Sequence, residues 1–99
     1  MPFGRSAALS ARSAGVYPHR LLRIENHGDA TATQITVTFT GQGGVFELLA
    51  EPVPDLVPGA VVEIPVKPFR RGAVFKTALR WVADNGAPGE FFGLLTTGR

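Results

Sequence analysis

The sequence predicts an all-β protein, an antiparallel β-sandwich of about seven short strands, in one domain spanning residues 1–99. Three observations predict it. Apolar residues recur at every second position, most cleanly where Ile35, Val37 and Phe39 alternate with Gln34, Thr36, Thr38 and Thr40. That period belongs to a strand buried on one face. Turn-forming residues then interrupt the chain at short intervals, around Asn26–Asp29, Gly41–Gly44, Ala50–Gly59, Pro68–Gly72 and Asp84–Gly89. Finally, 12 Gly and 8 Pro in 99 residues leave no stretch with the apolar spacing of a helix.

Taken in order, residues 1–4 are a loose N-terminus. Ala7, Leu9 and Ala11 alternate with Ser6, Ser10 and Arg12, which suggests a first, edge strand over Arg5–Ser13. Gly15 and Pro18 mark a connection. Arg20–Asn26 is the second strand, with Leu22 and Ile24 inward and Arg23 and Glu25 outward. The segment from Asn26 to Ala32 is too long for a two-residue hairpin loop, so it is expected to cross from one sheet to the other. Thr33–Thr40 is the third strand and Val45–Leu49 a short fourth.

Three prolines stiffen Ala50–Gly59. Val61–Lys67 resumes alternation, with Val62, Ile64 and Val66 inward. Pro65 has no N–H for a ladder, so it needs an open edge or a bulge. Val74–Ala83 places Phe75, Thr77, Leu79 and Trp81 on one face. Asp84–Gly89 is a hairpin signal, and Gly89–Thr97 is the seventh strand. Phe39, Phe46, Phe75 and Trp81 are expected in the core. Phe91 and Phe92 are neighbours, so one of them points away from the core. If the seventh strand is an edge, that residue together with Leu95 forms an exposed apolar patch, unless the first strand covers it.

The pattern Leu22-x-Ile24-x-Asn26-x-Gly28 followed by Ala30 or Ala32, then Leu56-x-Pro58-Gly59 before Val62-x-Ile64-x-Val66, then Phe75-x-x-x-Leu79 and Asp84-x-Gly86, resembles the bacterial immunoglobulin-like modules of the cell-adhesion-related and similar accessory types. The resemblance covers roughly residues 20–96. It implies a fold shaped like a fibronectin type III domain and a role as spacer, stalk or binding module.

Composition excludes several classes. No Cys is present, which removes disulfides, thiolate chemistry and Cys-based metal sites. Ten Lys+Arg against eight Asp+Glu give a net charge of +2, too little for a nucleic-acid footprint without clustering. No apolar run reaches the roughly 18–20 residues that span a bilayer, and residues 1–17 lack the apolar core of a secretory signal. With Met1 as the native start the expected compartment is the cytoplasm; for a piece excised from a larger protein it is the cell surface or exterior.

No catalytic constellation is legible. Ser6, Ser10 and Ser13 are the only serines, His19 and His27 the only imidazoles, and there is no G-x-S-x-G elbow. Gly41–Gly44 precedes neither a helix nor a Lys-Ser/Thr pair, so it is not a phosphate loop. No cofactor, catalytic residue or metal site is expected. In a seven-stranded antiparallel sandwich, connections two, four and six share one end. They would gather Asn26, His27, Asp29, Glu51, Asp55, Asp84 and Asn85 into an acidic end. The other end gathers Arg12, Tyr17, His19, Arg20, Arg70 and Arg71.

The expected function is therefore a non-catalytic accessory or interaction domain that binds protein, a partner or a second copy. Its candidate interface residues are Tyr17, Arg70, Arg71, Phe91 and Phe92. The alternative is a module for carbohydrate or calcium that uses Asn26, His27, Asp29, Asp55, Asp84 and Asn85.

Overall fold

The computed structural model describes residues 6–16, 19–41, 46–48, 53–68 and 74–96. They form β1 (Leu9–Val16), β2 (His19–Asn26), β3 (Ala32–Gly41), β4 (Phe46–Leu48), β5 (Val61–Pro68), β6 (Val74–Ala83) and β7 (Pro88–Thr96). All pairings are antiparallel. A four-stranded sheet runs β1-β2-β5-β4 and a three-stranded sheet runs β3-β6-β7. The chain is all-β in two sheets, and among the described residues there is no helix.

The β2–β3 connection passes from one sheet to the other, as its length required. Both sheets turn their apolar phase inward. Leu9, Leu22, Ile24, Ile64 and Val66 from one meet Ile35, Leu79, Trp81 and Ala83 from the other in a single cluster. Val37, Phe39 and Phe91 pack against it. Each fully buried Leu or Ile contributes about 1.5–3 kcal/mol. Phe46 and Phe75 belong to side chains outside the described set.

Trp81 is buried, and its register partner is Gly89. A Cβ at Gly89 would stand 2.3 Å from the indole Cε2, so only glycine lets the ring lie over this strand. The indole Nε1–H donates to Ala7 O at 3.3 Å and ties residues 6–8 across the core.

One expectation is corrected and another falls on residues outside the described set. The first strand begins at Leu9, not Arg5, because the backbone of residues 6–8 bonds to the β2–β3 loop rather than to β2. Its apolar phase is nevertheless right, since Ala7 and Leu9 are both buried. Pro65 is opposite Leu21 of β2, and the β4 residue next in register to it, Leu49, lies outside the described residues.

Candidate interaction face

The connection end comes first, because the sequence directs attention there. Three connections do meet: Asp84 N–H donates to Thr31 O at 2.9 Å, Ala32 and Leu56 exchange both backbone bonds, and Asn26 N–H donates to Ala60 O at 3.0 Å. Asn26 is the hub. It is fully buried, and its Nδ2 donates to Ala30 O and Leu56 O, each at 2.9 Å. Its Oδ1 accepts from Gly28 N at 2.9 Å, closing an Asx turn, and from Ala8 N at 3.3 Å. Every hydrogen-bonding position of the amide is occupied by backbone, so Asn26 positions the loops and presents nothing to a ligand.

The other loop residues lie outside that hub. Asp29 is exposed and its Oδ1 accepts from Ser6 N at 2.8 Å. Asn85 Oδ1 accepts from Ala87 N at 3.1 Å within its own turn. Asp55 and Asp84 are exposed. Among the described residues no three His, Asp or Glu side chains converge as metal ligands would. The connections are brought together, but by their backbones.

His27 does gain partners that sequence reasoning missed. Its Nε2 shares a 2.8 Å hydrogen bond with Ser10 Oγ, and its Nδ1 lies 3.7 Å from Glu25 Oε2. Ser10 and Glu25 are register partners on β1 and β2, so the antiparallel pairing places all three on one surface. The order serine, imidazole, carboxylate is that of a hydrolytic triad. A triad also needs N–H donors aimed at an oxyanion. Here the loop amides are already engaged: His27 N with Ala8 O, Gly28 N with Asn26 Oδ1, Asp29 N and Ala30 N with Ser6 O. The cluster pins β1 to the loop.

The outer face of the three-stranded sheet is different. Thr36, Thr38 and Thr40 of β3, Lys76, Ala78 and Arg80 of β6, and Glu90, Phe92 and Leu94 of β7 share that face by register. Arg80 Nε donates to Glu90 Oε2 at 2.9 Å. Beyond this pair Phe92 and Leu94 are 65% and 69% exposed, while Phe91 is half-buried against the core. The adjacent aromatics thus separate as expected, Phe92 being the outward one. The second apolar member is Leu94; the side chain of Leu95 lies outside the described set.

A shallow depression of about 480 Å³ has Gln34, Arg80, Pro88 and Glu90 on its wall. Gln34 has φ 52°, the left-handed region that non-glycine residues seldom adopt. It sits where the β3–β6 register shifts between Thr33 and Thr36, a bulge. Bulges re-aim side chains, and here Gln34 lines the depression beside the Arg80–Glu90 pair.

Tyr17, Arg70 and Arg71, the other interface candidates, lie outside the described residues. No family model matches the chain, and no curated protein matches it. Among the described residues no helix is long and apolar enough to cross a membrane.

Proposed function

We propose that this chain is a seven-stranded immunoglobulin-like interaction domain, non-catalytic, that engages protein through the outer face of the β3-β6-β7 sheet. The strand order supports the immunoglobulin-like reading. Sheets ordered 1-2-5-4 and 3-6-7 in chain order correspond to the four-plus-three arrangement of constant-type immunoglobulin domains. The observation that carries the interaction reading is the exposure of Phe92 and Leu94 side by side on an edge strand. Two large apolar side chains held in water on a sheet face have a free-energy reason to be covered. Thr36, Thr38 and the Arg80–Glu90 pair supply a polar surround, as interface rims do.

A photo-crosslinking residue placed at Phe92, Thr38 or Glu63 tests this. Glu63 is exposed on the opposite sheet and serves as the control. Discrete adducts from positions 92 and 38 with none from 63 are expected. Equal yields from all three positions, or adducts from 63 alone, contradict the reading.

A further inference from the structure

Among the described residues Gln34 is the one non-glycine residue with a positive φ, 52°. Its neighbours enforce that conformation. Thr33 Oγ1 donates to Val82 O at 2.9 Å and fixes the residue before it. Ile35 is buried in the core and fixes the residue after it. Strain of this kind persists only where the surroundings over-determine it, and it gathers at ligand sites. A bulge that served only to kink β3 would take glycine, which adopts this φ freely. The chain has an exposed glutamine instead, and among the described residues no group bonds its carboxamide. What the strain achieves is position: Gln34 lines the depression of about 480 Å³ together with Arg80, Val82, Pro88 and Glu90.

We propose that this depression binds a neutral saccharide, with Gln34, Arg80 and Glu90 as its hydrogen-bonding residues. The site goes beyond the protein-interaction reading and does not depend on it. Its volume falls in the range of small-molecule sites, roughly 300–1,000 Å³. Local charge excludes the ionic ligands. Arg80 Nε donates to Glu90 Oε2 at 2.9 Å, so the two charges offset each other, and no other ionisable residue lines the depression. An anion or a cation therefore gains no net attraction, and one carboxylate is too few oxygens for a calcium site.

The polar groups suit hydroxyls. A carboxamide donates and accepts, a guanidinium donates from its terminal nitrogens, and a carboxylate accepts on its second oxygen. A sugar hydroxyl is donor and acceptor at once, and neighbouring hydroxyls on one ring present both roles side by side. Pro88 and Val82 add apolar surface for the C–H face of the ring. An added peptide strand fits less well, because Arg80 and Glu90 are partners in the β6–β7 ladder and recognition here falls to side chains.

Proton–nitrogen correlation spectra of the full chain, titrated with maltotriose, cellotriose, mannotriose and triacetylchitotriose, test the proposal. A shallow site implies a dissociation constant on the order of 1 mM, so each sugar is taken to about 20 mM. At least one sugar should give saturable shifts confined to the amides of residues 34–36, 80–82 and 89–90, while glucuronate and acetyl-triglycine amide leave them in place. Gln34→Gly and Glu90→Ala should each weaken that binding at least tenfold, and Glu63→Gln, on the opposite sheet, should leave it unchanged. Gln34→Gly should also keep or raise the urea midpoint, because glycine relieves the strained φ.

The proposal is overturned if no sugar moves these amides, if both variants bind as tightly as the wild type, or if the shifts centre on Asp29 and Asp84. It is equally overturned if acetyl-triglycine amide moves the same amides as strongly. A midpoint that falls in Gln34→Gly would show that the glutamine serves the fold, and would remove the argument from strain. Discrete crosslinks from position 92 without saccharide binding remove this site and leave the protein-interaction face standing; saccharide binding without such crosslinks does the reverse.

Discussion

Two regions of this small molecule treat their surfaces in opposite ways. At the connection end, Asn26 is buried and every donor and acceptor of its amide is matched by backbone. Along β7, Phe92 and Leu94 stand in water on the outer face of the three-stranded sheet. The first region is closed: it holds loops in place and has nothing left to offer. The second is open: two large apolar side chains stand uncovered on it. In a sandwich-like fold the polar loops draw attention first, yet the observations here favour the sheet.

The sharpest way to break the contrast is at its closed end. Asn26→Asp keeps the acceptors but turns a carboxylate toward Ala30 O and Leu56 O, which lose their donors. Burying unmatched polar groups of this kind costs on the order of 4 kcal/mol, a large part of the 5–15 kcal/mol that holds a typical domain together. Urea denaturation should show a midpoint shifted far down or no folded baseline. A near-neutral result would mean that the hub is not structural.

Next in size is Gly28→Ala. Its Cβ would lie within 3 Å of Ser6 O, Ala7 Cα and Ala8 N, all backbone, so the crossing segment must move. A loss of about 2 kcal/mol is expected by the same measurement. Gly89→Ala makes the comparison within the three-stranded sheet: the clash there is with the Trp81 ring, and a similar loss should come with a red shift in the emission of the single tryptophan.

At the open end the prediction reverses. Phe92→Ser with Leu94→Ser removes two exposed side chains and should change stability by less than about 0.5 kcal/mol at low concentration. A large loss would show that these residues already serve the fold. The smallest effect compares the two outer faces. Glu63→Gln breaks the 3.0 Å pair with Arg23, and Glu90→Gln breaks the 2.9 Å pair with Arg80. Both pairs are substantially exposed, so each should be worth roughly 0.5 kcal/mol or less and fade with added salt.

The inward faces of the strands were legible in the sequence because period 2 is a local property. Leu22, Ile24, Ile64, Val66, Leu79 and Trp81 need no tertiary information to declare their side. The sheet-crossing role of the Asn26–Ala32 segment followed from its length. The interface strand was harder. Phe91 and Phe92 each satisfy an alternating phase, and only the register that sets Phe91 opposite buried Leu79 and Phe92 opposite Ala78 decides which one is outward.

Asn26 read as a turn residue open to ligands. Its four partners come from residues 8, 28, 30 and 56, and no local pattern announces the distant ones. The Ser10–His27 bond joins positions 17 apart and appears only once β1 and β2 pair. The bulge at Gln34 left no trace in a run that alternates cleanly through it. Local periodicity thus carried the core, while the polar contacts between segments waited on the topology.

The most direct test of the open face is the yield of photo-crosslinks from position 92 against position 63 in the full chain. The account predicts discrete adducts from position 92, on the face that exposes Phe92 and Leu94, and none from position 63. Equal yields from both positions, or adducts from position 63 alone, would contradict it.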